Sequence, residues 1–206
     1  MADPSVLFPR EYRPVAGGAL AVVAFAWVTA VGSAVFTFGA WRFLGWAEDK
    51  SSGSGVLVAT VMIGGLLVFA AAWGATGLCF LFWRGRVRWN AKLAVGPTWS
   101  GRRGPLSLND VRNASDPARR SAARADRPRH PAFAVWLLSY VALVLVMASF
   151  WYVGRENDGT EFAWFAARLA VVHTVVAVVF AVSATAGVRT ITLRQTDPAM
   201  YTGVQV

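Results

Sequence analysis

The stretch FAARLAVVHTVVAVVF, residues 165–180, sets an arginine and a histidine inside sequence that is otherwise almost wholly apolar. A bilayer hydrocarbon core about 30 Å thick needs about 20 consecutive apolar residues as helix. The run from Phe162 to Val188 is long enough, with only Arg168 and His173 interrupting it. Three other runs match it: Val15 to Ala40, Val56 to Trp83 and Ala132 to Val153. Their glycine and β-branched content would weaken a helix in water. In lipid the backbone has no water to bond, so the segment must satisfy its own N–H and C=O groups and helix prevails. The sequence therefore predicts an all-α integral membrane protein, a four-helix transmembrane bundle forming a single membrane domain over 1–206.

Composition agrees. The 206 residues are 56% hydrophobic and 15% charged, against about 25% charged in an ordinary soluble domain. Cys79 is the one cysteine, within an apolar run, which excludes a disulfide framework and any clustered Cys/His metal spacing. It reads as a small buried or lipid-facing residue. Only Lys50 and Lys92 are lysines, while Ala, Val, Gly and Arg abound. That bias suggests a bacterium with a GC-rich genome. The first span is too long for a signal-peptide core and ends at no convincing cleavage site, so it reads as a retained anchor.

Charge sets the expected orientation. The segment 84–130 carries twelve basic residues and three acids, a net +9 that equals the formal charge of the whole chain. The loops GWAEDKSSGSG (45–55) and GRENDGTE (154–161) are short and acidic. By the positive-inside rule the 84–131 loop and both termini face the cytoplasm, giving an N-in/C-in protein of the bacterial inner membrane. Short outer loops then pair the spans as two antiparallel hairpins. Aromatic residues fall where amphipathic rings prefer to sit: Tyr12, Trp83, Trp89 and Trp136 at the inner interface, and Trp41, Trp46, Trp151, Tyr152 and Trp164 at the outer one. Trp27 and Trp73 lie deeper, as packing residues or as a wall for a lipid or quinone ring.

On a helical projection, Ala166, Ala177 and Ala184 fall within about 40° of His173, and Ala163, Ala170 and Ala181 within about 80°. The opposite side carries Trp164 and a row of valines. Small residues at this spacing admit a neighbouring helix, so His173 should face inward near mid-depth. Its expected partners are Thr29, Ser33, Thr37 or Thr60. Matching small-residue rows are Ala26, Ala30 and Ala34 in the first span, and Gly64, Gly65, Ala70, Gly74 and Gly77 in the second. Arg168 points about 140° away from His173, so the two cannot share one site on a straight helix. Arg168 can extend toward the outer headgroups, with Trp164 stacked on it.

No span interior holds Asp, Glu or Pro, which weakens an ion-coupled carrier reading. His130 and His173 lie at depths too different for one haem to bridge. The basic loop has no P-loop, dinucleotide fingerprint or catalytic grouping. SDPARRSAARAD (115–126) carries a helix start signal. Arg102, Arg103, Arg119, Arg120 and Arg124 are the expected docking residues for anionic lipid headgroups or an acidic partner. No nucleic-acid motif is present. The expected role is non-catalytic: an accessory, scaffold or assembly subunit of a bacterial inner-membrane complex, with lipids and other subunits or a second copy as partners. No enzyme activity and no cofactor are predicted. The alternative is a small transporter, channel or lipid/quinone-binding protein using His173, Trp27 and Trp73.

Overall fold

The computed structural model describes residues 11–49, 55–95, 108–115, 130–156 and 159–197. Among these every regular element is helical: α1 (Ala16–Glu48), α2 (Gly55–Val95), α3 (Leu108–Ala114), α4 (Pro131–Glu156) and α5 (Gly159–Gln195). Four of them, all but α3, are long and apolar enough to cross a membrane, the pattern of a multi-pass membrane protein.

Each long helix covers a run expected from sequence, α1 all of its run but Val15, and extends past the run's C-terminal end. α1 continues past Ala40 through WRFLGWAE, α2 past Trp83 through RGRVRWNAKLAV, and α5 past Val188 to Gln195. Hydropathy marks where a helix leaves the hydrocarbon, not where its hydrogen bonding stops. The α2 extension stays ordered because it is amphipathic: Trp83, Val87, Asn90 and Ala91 are buried while Arg86, Trp89 and Lys92 are exposed. α4 starts where Pro131 occupies its first position, at which the missing N–H costs nothing. His130 caps this end, its Nδ1 accepting the Ala132 N–H at 3.3 Å. α5 opens at Gly159 with φ +62°, a left-handed conformation that favours glycine. α3 follows no apolar run and has no counterpart among the sequence expectations. The SDPARRSAARAD stretch lies, from Asp116 onward, outside the described residues.

The chain forms two compact units. The first comprises 1–23, 77–134 and 183–206. Its described part is knit by side-chain amides. Asn90 Oδ1 accepts the Arg13 N–H at 3.0 Å, and Asn90 Nδ2 donates to the Arg13 carbonyl at 2.8 Å. Gln195 Nε2 donates to the Val87 carbonyl at 2.8 Å and to Ser115 Oγ at 3.0 Å. Trp83 is fully buried with Gly18 against it. That corrects its expected place at a lipid interface: the ring fills the space that Gly18 leaves open.

The second unit comprises 24–76 and 135–182 and draws on all four long helices. Here α1 and α2 approach backbone to backbone in antiparallel register. A Cβ on Gly32 would lie 2.7 Å from the Phe69 nitrogen, and one on Gly39 would lie 2.7 Å from Met62 Cα. A Cβ on Gly65 would meet the Phe36 backbone. The close approach therefore runs through Gly32, Gly39 and Gly65, not through the full rows expected from sequence. Ala26 and Ala30 are buried, but Ala34, Ala70, Gly64 and Gly74 are exposed. Adjacent residues on a helix point about 100° apart, so of Gly64 and Gly65 only one can face α1.

Candidate functional site

Among the described residues of the second unit, a buried chain of polar groups runs between α1 and α5, with His173 at one end. α5 presents its alanines inward, as projected: Ala163, Ala166, Ala170, Ala177 and Ala181 are buried, whereas Val171, Val175, Val178 and Val179 are exposed. His173 shares the inward face and is 0% exposed.

Of the four expected partners, Ser33 is the one in contact, its Oγ 2.6 Å from His173 Nδ1. Ser33 Oγ also lies 2.9 Å from Thr174 Oγ1, which in turn is 2.7 Å from Thr37 Oγ1. Thr37 donates to the Ala170 carbonyl at 2.7 Å. Thr29 and Thr60 instead bond their own helices, at the Phe25 and Val56 carbonyls. Thr37 thus belongs to the cluster at one remove. Thr174 was absent from the sequence-derived set because it adjoins His173 in the chain. It enters only because Ser33, on another helix, sits within reach of both.

Aromatic rings enclose the imidazole. Phe69 stands edge-on to it with centroids 4.3 Å apart, and Phe36 and Phe150 do so at 6.1 and 6.3 Å. Phe69 stacks with Trp73 at 6.1 Å, and Trp73 lies 4.8 Å from Tyr140. Two buried nitrogens in this region have no hydrogen-bond partner: His173 Nε2 and Trp73 Nε1. Buried polar atoms are nearly always bonded, so these two stand out.

The other expected site residues separate from this cluster. Trp27 is 43% exposed on α1, about 120° around the helix from Ser33, which turns it away from the imidazole. Arg168 is exposed, and its guanidinium carbon lies 3.2 Å from the centroid of Trp164. The pair forms the cation–π contact anticipated for an arginine reaching toward headgroups. Arg102, Arg103, Arg119, Arg120 and Arg124 lie outside the described residues.

In the first unit the buried amides Asn90 and Gln195 escaped sequence reading. Both lie beyond the expected span ends, where nothing in hydropathy distinguishes a buried amide from a solvated one. His130 also belongs here. Burial, then the positive charges of Arg112 and Arg194, lower its pKa below 6.5. This fits its role as a cap, because Nδ1 must be unprotonated to accept the Ala132 N–H.

No protein-family model, curated protein or solved structure matches this chain.

Proposed function

We propose that this chain is a non-catalytic accessory, scaffold or assembly subunit of a membrane-protein complex, in a bacterial inner membrane with both termini and the 84–131 loop on the cytoplasmic side. The orientation rests on the +9 charge of the 84–130 segment between two acidic loops. The basic loop adds attraction to anionic headgroups, about 1 kcal/mol for each residue near the surface.

The observation that carries the assembly reading is one face of α2. Thr60, Gly64, Leu67, Ala71 and Gly74 alternate at four- and three-residue steps, and all five are exposed. A Cβ on Gly64 or Gly74 would meet nothing within 4 Å. Small residues let another helix approach closely in lipid, where packing and not hydrophobicity drives association. A repeat of 3.5 residues keeps such a seam on one side of a shallow left-handed crossing. The neighbouring inward face of the same helix, with Gly65 and Phe69, is already used against α1.

The test replaces Cys79, the single cysteine, by alanine and introduces cysteines one at a time from Thr60 to Gly74. Oxidation in native membranes should give disulfide-linked second copies, or a photoactivatable maleimide attached to the same cysteines should give adducts with another subunit, in either case peaking at 64, 67, 71 and 74. Uniform cross-linking around the helix, or none at any position, would reject the assembly reading.

A further inference from the structure

Counting protons along the buried cluster assigns a chemical state to His173 that goes beyond the assembly reading and does not depend on it. Four contacts link His173 Nδ1, Ser33, Thr174, Thr37 and the Ala170 carbonyl. Each hydrogen bond needs one proton, and the three hydroxyls supply one each. The Ala170 carbonyl can only accept. Thr37 gives its proton there, so Thr174 must give its own to Thr37 and Ser33 must give its own to Thr174. The fourth proton can come only from the imidazole, as Nδ1–H donating to Ser33 Oγ. In every other arrangement two oxygens, or an oxygen and a nitrogen, face each other at under 3 Å with no proton between them.

The consequence falls on the other ring nitrogen. In the neutral imidazole with Nδ1 protonated, Nε2 carries a lone pair and no proton. An imidazolium would leave an N–H and a charge among Phe36, Phe69 and Phe150 with no acceptor, which burial opposes. The chain also ends at an amide carbonyl, which cannot pass a proton on, so it fixes the tautomer and does not act as a relay. Nε2 is a fully buried acceptor without a protein partner. Trp73, stacked on the same Phe69, carries a buried donor that also lacks one.

We propose that His173 Nε2 is a binding atom for one hydroxyl group, supplied by a water molecule or by an apolar guest that carries an O–H. Burial in aromatic surroundings selects a neutral donor over an ion. The Nδ1–H···Ser33 bond orients the ring and strengthens Nε2 as an acceptor, as outer partners do for liganding histidines.

The experiment uses the full chain labelled with 15N-histidine, in phosphatidylcholine nanodiscs whose lipids bear no hydroxyl. His130→Asn, which keeps a capping side chain at that position, leaves His173 as the only histidine. Two-bond proton–nitrogen correlations read the tautomer, and the Nε2 resonance is followed with phenol and with anisole, which lacks the donor. The proposal expects the Nδ1–H form. It further expects either an Nε2 already bonded to water, seen as a cross-peak to water protons, or an Nε2 that shifts with phenol and not with anisole. The first result identifies water as the source, and the second identifies an organic hydroxyl. An Nε2–H tautomer, or an Nε2 that neither contacts water nor responds to phenol, would overturn the proposal.

Discussion

Replacing Ser33 by alanine removes the oxygen that joins α1 to α5 in the middle of the second unit. The hydroxyl makes two contacts, at 2.6 Å to His173 Nδ1 and 2.9 Å to Thr174 Oγ1. Its loss leaves the imidazole N–H without an acceptor and Thr174 without an incoming donor. A buried donor left unpaired costs about 1–3 kcal/mol. Interhelical hydrogen bonds in membranes average about 0.6 kcal/mol and reach about 1.7, because the unfolded chain in lipid also finds partners. The expected loss for Ser33→Ala is therefore about 1–2 kcal/mol. It should be shared with His173, which a double-mutant cycle with His173→Leu would show. Unfolding in mixed micelles by added dodecyl sulfate, followed by circular dichroism, gives the four stabilities. The cycle should return a coupling of about 0.5–2 kcal/mol, above the error at which distant sites add. Thr60→Val, which breaks only a bond within α2, is the control and should change stability by less than about 0.5 kcal/mol. Additive effects of Ser33→Ala and His173→Leu would refute the reasoning, since they would mean that the cluster carries no shared energy.

Gly39→Ala and Gly65→Ala should each destabilise the fold by about 1–3 kcal/mol, because the added methyl meets the backbone of the facing helix; Gly64→Ala, with open space around it, should leave stability in the same micelle assay unchanged or raise it by up to about 1 kcal/mol through helix propensity. Asn90→Ala should expose the Arg13 amide to hydrogen exchange, since Asn90 Oδ1 is its acceptor; unchanged protection at Arg13 would contradict the clamp. The start of α4 should weaken in acid. His130 has a folded pKa held below its ordinary 6.5, so between the two values the unfolded chain binds more protons and stability rises with pH. The penalty is absent above the ordinary range and complete below the folded pKa. Hydrogen exchange at Ala132 should accelerate as pH falls through this window, after correction for intrinsic rates, and His130→Asn should flatten the dependence.

How much of this was legible in the sequence differs by feature. The four apolar runs appear directly in hydropathy, because lipid leaves the backbone one option. The inward face of α5 was legible because alanines and valines segregate around the helix, and that segregation oriented His173. The choice of Ser33 among four hydroxyls was not legible, since it depends on the axial register of α1 against α5. The glycine rows misled for a related reason: Gly64 and Gly65 are equally small, and only packing decides which one meets Phe36. Trp83 was misplaced because a tryptophan near a span end reads as an interface residue until a glycine on another helix, here Gly18, makes room for it. Asn90 and Gln195 lie where the helices leave the apolar runs, and composition there suggests solvent.

The proposed topology has lipid around the long helices and the arginine-rich segment on the cytoplasmic side. Thiol labelling of intact cells tests this most directly, using an impermeant maleimide on Cys79→Ala protein with a single cysteine at Ser54 or at Ser100. With that topology Ser54→Cys should react in intact cells, whereas Ser100→Cys should react only after the membrane is opened. Labelling of Ser100→Cys in intact cells, or recovery of the chain in the detergent-free soluble fraction, would contradict it.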